Sequence, residues 1–162
     1  MDRKHHRSRA IGAVVALGLV LGHAGPSGAS DLPDPCRFLS PAEASRVTGA
    51  PLVTSQRTAD SDNAMCLFSQ AKGGPPLPLV TINVGRLSAT GPASFHGIIG
   101  IFENMTHTKA RAVDVPGSVA VEHDTTVFVD RGAYFAKFGY LGVGTLAQQR
   151  AISEALARAA LF

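Results

Sequence analysis

Cys36 and Cys66 are the only two cysteines in the 162-residue chain, and their position restricts the possible folds more than any other feature. Both follow a segment laid out as a secretory leader. Met1 to Arg9 is basic (Arg3, Lys4, Arg7 and Arg9 against Asp2), Ala10 to Leu21 is unbroken apolar and glycine sequence, and Pro26 to Ser30 is small and polar. The apolar run is about half of the roughly 20 residues that a bilayer-spanning helix needs. The sequence therefore predicts a leader over residues 1–30, cleaved after Ala29 or Ser30, and a secreted or periplasmic product with no stable membrane anchor. An exported chain with an even cysteine count is expected to pair them. A Cys36–Cys66 disulfide closing about 30 residues contributes roughly 3 to 4 kcal/mol on the loop-entropy estimate. Lipidation of Cys36 is disfavoured, because Pro33-Asp34-Pro35 stands where a lipoprotein signal carries small or apolar residues.

The leader also holds the excess of positive charge. The chain has 15 Lys and Arg against 12 Asp and Glu; four of the former and one of the latter lie in residues 1–30, leaving 11 of each beyond. The remainder is formally neutral, so charge gives no reason to expect a nucleic-acid partner. Its length suits one domain with a single core. Residues 31–35 read as a short tether, broken by prolines, and 36–162 as that domain.

Along the domain, Ser40-Pro41-Ala42-Glu43 is a capping box with proline at the first helical position, and Gly49 and Pro51 end the helix it opens. Residues 54–63 are polar, with a turn at Asp60, Asp62 and Asn63. Ala64 to Gln70 follows as a strand with Cys66 and Phe68 on one face. Gly73 to Pro78 is a loop, and Leu79 to Gly85 alternates as a second strand. Phe95, Ile98, Ile99 and Phe102 form the apolar stripe of a helix capped by Ser94, with Gly97 and Gly100 either weakening it or allowing close approach to the sheet. Ser118–Glu122, Thr125–Val129 and Ala133–Tyr140 read as strands, the last two joined by a turn at Asp130-Arg131-Gly132. Gly139 to Gly144 then breaks the pattern, and Thr145-Leu146-Ala147-Gln148 caps a terminal helix. This order of elements predicts an α+β fold: an antiparallel sheet of about five strands covered by three helices, with one disulfide.

Asp34-Pro35-Cys36, Leu39, Ala42-Glu43, the Gly49 stop and Cys66-Leu67-Phe68 together resemble the uncharacterised "DPC" domain of exported actinobacterial proteins and lipoproteins. Val115-Pro116-Gly117-Ser118-Val119-Ala120 and the alanine-rich terminal helix are similar as well, so the resemblance spans about residues 34–161. It implies a small PsbP-like, helix-covered antiparallel sheet in the envelope or outside the cell, and it brings no catalytic residues. Many members carry a lipid-bearing cysteine that this chain lacks.

No residue pattern specifies a reaction or a cofactor. His96, His107 and His123 lack the close ligand pair of a structural zinc site, and successive strand residues Glu122, His123 and Asp124 point to alternate faces. Ser94 lies outside a G-x-S-x-G elbow and is accounted for as a cap. Gly139, Gly142 and Gly144 match no phosphate-binding spacing. With no Trp and only Tyr134 and Tyr140, a stacking platform has little support. Asn104-Met105-Thr106 fits a glycosylation acceptor in hosts that glycosylate.

The expectation is a non-catalytic binding or accessory module acting on an envelope or extracellular protein. Its candidate surface is an apolar patch on the Thr125–Tyr140 hairpin, comprising Phe128, Tyr134, Phe138 and Tyr140. The alternative is a small-ligand carrier or weak hydrolase whose pocket, between sheet and helices, is lined by Phe95, Phe102, Phe128, Phe135 or Phe138.

Overall fold

A computed structural model describes residues 32–71 and 77–161; the leader and most of the Gly73–Pro78 loop lie outside the described residues. The helices are α1 (Pro41–Thr48), α2 (Phe95–Thr106) and α3 (Leu146–Ala159). The strands are β1 (Val53–Ala59), β2 (Asn63–Ser69), β3 (Leu79–Arg86), β4 (Arg111–Ala112), β5 (Val119–His123), β6 (Thr126–Asp130) and β7 (Tyr134–Leu141). Local chemistry sets the helix boundaries. Ser40 and Thr145 accept from the N3 amides of α1 and α3, and Glu43 and Gln148 reach back to the cap amides. Gly49 ends α1 in the left-handed conformation.

All seven strands join one antiparallel sheet in the order β1-β2-β3-β7-β6-β5-β4, two more than the sequence pattern suggests. The additional strands are the two edges. Every residue of β1 is exposed, so Val-Thr-Ser-Gln-Arg-Thr-Ala has no buried face to print an alternation into the sequence. β4 is two residues long, and both are exposed. It pairs in register with Val121 and Glu122 of β5.

The pleat sorts side chains onto two faces. On the first, Ala64, Cys66, Phe68, Val80, Ile82, Val84, Val127, Val129, Ala136, Phe138 and Tyr140 form a continuous core with Leu39, Ala44, Leu156 and Ala157. α1, α3 and the 3-10 turn Pro35–Arg37 cover this face. The disulfide joins Cys36 of that turn to Cys66 of β2. On the second face, Phe95, Ile99 and Phe102 of α2 pack on Val121, Phe128 and Phe135. α2 covers only part of this face, leaving Met65, Leu67, Thr81 and Asn83 half-buried. Gly97 does allow a close approach, but to a loop: a Cβ there would collide with the carbonyls of Gly91 and Pro92, whereas Gly100 faces open space.

Residues 32–35 pack onto the domain. Leu32 and Pro35 are buried, and Asp34 caps the Cys36 amide and pairs with Arg57 of β1 at 3.0 Å. At the other end, the Leu161 amide donates to the Phe38 carbonyl. Buried Glu122 ties α3 to the sheet, accepting from Arg111 Nη2 at 2.7 Å and forming an ion pair with Arg150, whose Nε lies 3.0 Å away and donates to the Asp124 carbonyl. Glu154 holds Arg111 and Arg158, and Ser153 donates to the Thr125 carbonyl at 2.6 Å. Every buried side-chain nitrogen and oxygen among the described residues has a hydrogen-bond partner, as a packed interior requires.

Candidate functional site

β7 lies at the centre of the sheet, and its second face presents Phe135, Lys137, Gly139 and Leu141 in succession. Lys137 stands opposite Asn83 on β3 and Phe128 on β6. Its ammonium lies 5.3 Å from the centre of the Phe102 ring and 5.6 Å from that of Phe128. It forms no ion pair with a carboxylate among the described residues. Burial pushes its pKa below the ordinary lysine value, because desolvation penalises the charged form. The two ring faces act in the opposite sense, since their quadrupoles attract a cation.

Two residues further along β7, Gly139 sits in register between Thr81 of β3 and Thr126 of β6. The missing side chain leaves a dent in a central strand. A Cβ on Gly139 would fall 2.8 Å from Thr81 Oγ1 and 3.8 Å from Thr126 Oγ1, so the two hydroxyls flank bare backbone. Neither hydroxyl bonds to another group among the described residues. Two donors and a cation thus border one hollow.

Beside this dent runs a hydroxyl–imidazole–carboxylate line. Thr106 Oγ1 is 2.9 Å from His123 Nε2, and His123 Nδ1 is 3.5 Å from an Asp124 oxygen. The order suggests a catalytic triad, but proton placement argues against it. Thr106 Oγ1 already donates to the Phe102 carbonyl at 3.0 Å. With its one hydrogen committed there, the hydroxyl accepts from Nε2–H, and Nε2, the ring nitrogen that faces it, has no lone pair to take its proton. The line anchors the end of α2 to β5.

Two adjoining hollows share Lys137 and Thr126. One, about 230 Å³, is lined by Leu79, Thr81, Thr125, Gly139, Tyr140 and Leu141 as well; the other, about 260 Å³, adds Phe102, Met105, Thr106, His123, Asp124 and Phe128. Each alone is smaller than the roughly 300 Å³ at which small-molecule sites begin, and joined they exceed it. A larger hollow of about 510 Å³ lies between α1 and α3, against Thr48, Tyr140, Val143, Gly144, Gln148 and Ile152. None of its described lining residues is charged; the Thr48 hydroxyl donates to the Ala44 carbonyl, and Gln148 Oε1 accepts from the cap amide of α3. The convergent polar groups are at Lys137.

The aromatic residues picked out in the sequence have separate places. Phe128, Phe138 and Tyr140 are 1%, 0% and 5% exposed and Tyr134 is half-buried, stacked on Phe38. They form no exposed patch, because helices cover the hairpin on both sides: Phe138, Tyr140 and Tyr134 face the disulfide core, and Phe128 lies beneath α2. Of the five phenylalanines considered for a pocket, Phe102 and Phe128 line the Lys137 groove. Phe95, at the start of α2, and Phe135, on the sheet, belong to the cluster between that helix and the sheet, and Phe138 is in the opposite core. Ser94 caps α2, His96 is exposed on that helix, and His107 ends it in a left-handed conformation. Asn104 is exposed in the last turn of α2. Gly139 is inside β7, and only Gly142 and Gly144 belong to the turn into α3. Among the described residues, no three His, Cys, Asp or Glu side chains converge as a metal centre requires. Lys137 escaped the sequence reading; its one signal is a lone lysine alternating with Phe135 and Gly139 in an otherwise apolar strand.

Fold and groove together define an α+β domain with a seven-stranded antiparallel sheet, one disulfide, and a half-buried cation on the partly covered face. No family model, curated protein or solved structure matches the chain.

Proposed function

We propose that this domain is a non-catalytic binding module of an exported protein, and that its ligand lies in the groove between α2 and the second face of the sheet. The observation that carries this reading is Lys137. An ammonium drawn partly out of water and left without a carboxylate partner is a standing cost, and a bound ligand offering negative charge or acceptors would relieve it. Aromatic walls beside a few converging polar groups are the usual make-up of a small-molecule site. The committed hydrogen of Thr106 favours binding over hydrolysis.

The test is a nuclear magnetic resonance screen of oxidised, isotope-labelled protein against small acids, alcohols and amines. Saturable shifts clustered on Thr81, Thr126, Lys137 and Gly139 are expected. Shifts confined to other surfaces, or none from folded protein, would overturn the reading. A second reading, docking to an envelope or extracellular protein, draws on exposed Leu141, Val143 and Leu146 at the β7–α3 corner. It predicts that a captured partner is lost on charging Val143 and retained on altering Lys137.

A further inference from the structure

Resting on that reading, we infer that the groove takes a small monocarboxylate with an apolar tail, its head over Gly139 between the Thr81 and Thr126 hydroxyls and the Lys137 ammonium. Three features of the site select this class. First, the donors match a carboxylate: two hydroxyls stand on opposite sides of bare backbone, and a cation two residues along β7 completes a set able to engage both oxygens. Charge-assisted hydrogen bonds of this kind are the strong ones.

Second, the charge count favours a monoanion. Among the described residues, Lys137 is the only lysine or arginine bordering either hollow, and Asp124 borders the second. A phosphate dianion would meet one lysine where such groups are usually held by several donors or arginines. Asp124 would oppose a negative group at the α2 end, so the head belongs at the Gly139 end and the uncharged tail at the other. Third, the α2 end is apolar where the tail would run. Phe102 and Phe128 form its walls, and Met105, 73% exposed, stands at the rim; methionine side chains adapt to varied apolar shapes.

The experiment titrates oxidised protein with octanoate, octanamide, octylamine and inorganic phosphate, following residue-resolved shifts and affinity in the wild type, K137M, K137R, T126V and T126S. Octanoate is expected to bind at least about tenfold more tightly than octanamide, with the largest shifts at Thr81, Thr126 and Gly139. K137M should lose roughly ten- to a hundredfold in octanoate affinity, the worth of a charged hydrogen bond, and leave octanamide unchanged. K137R and T126S should retain most of the octanoate affinity while T126V loses several-fold, a pattern that general destabilisation would not produce. Groove shifts with octanamide binding as well as octanoate would overturn the carboxylate and leave the groove reading standing. Phosphate or octylamine binding more tightly than octanoate would overturn it too. Absence of groove shifts with every probe, from folded protein, would remove both inferences.

Discussion

A lysine on a central strand, set over two phenylalanine rings and forming no ion pair with a carboxylate among the described residues, is more costly to fold than a neutral side chain of the same length. Replacing Lys137 with methionine keeps the unbranched stem against Phe102 and Phe128 and removes the desolvated charge. K137M without ligand is therefore expected to be more stable than the wild type at neutral pH. The sign of the pH dependence follows from the lowered pKa of the folded state. Between that value and the ordinary lysine value of about 10.4, the unfolded chain binds more protons, so wild-type stability rises with pH. The advantage of K137M should be full below the folded pKa and shrink as pH approaches the ordinary value. Urea denaturation at several alkaline pH values measures this, and a gap that widens with pH would contradict it. Strand alternation in the sequence already implied that Phe135, Lys137 and Gly139 share a face. It did not tell which face α2 would partly leave open, and the aromatic residues drew attention to the wrong side chains.

Among the elements, α2 shows how two glycines in one helix differ. Gly97 lies where the helix meets the turn at Gly91 and Pro92, and a side chain there would strike backbone that cannot move aside cheaply; Gly100 has nothing within 4 Å of where its Cβ would be. Gly100→Ala should stabilise the domain by up to about 1 kcal/mol through helix propensity and reduced unfolded-state entropy. Gly97→Ala should destabilise it despite the same gain in propensity. Thermal denaturation of the pair distinguishes the two sites, and equal shifts would refute the packing argument. The three helices were legible because capping chemistry and apolar periodicity are local. The strands β2, β3, β5, β6 and β7 were legible because one or both faces are buried. β1 and β4 were not, since an exposed edge strand is held by backbone pairing that any polar sequence can make.

At the scale of the molecule, the disulfide links the start of the domain to β2 across 30 residues, while the Leu161–Phe38 hydrogen bond brings the far end of the described chain to the same place. Replacing both cysteines with serine should lower stability by about 3 to 4 kcal/mol on the loop-entropy estimate. Chemical denaturation of the double variant against oxidised wild type measures the loss, and an unchanged midpoint would show that packing around the Pro35–Arg37 turn suffices without the bond. The sequence by itself determined the cysteine pairing, the three helices with their caps, the α+β class and the alternation that sorts each buried strand onto two faces. These rest on interactions within a few residues, on composition, or on cysteine count. Tertiary structure alone decided that helices cover both sides of the sheet, that β1 and β4 extend it, and that Lys137, Gly139, Thr81 and Thr126 meet. Those four residues come from three strands, and only the register between the strands brings them into one hollow.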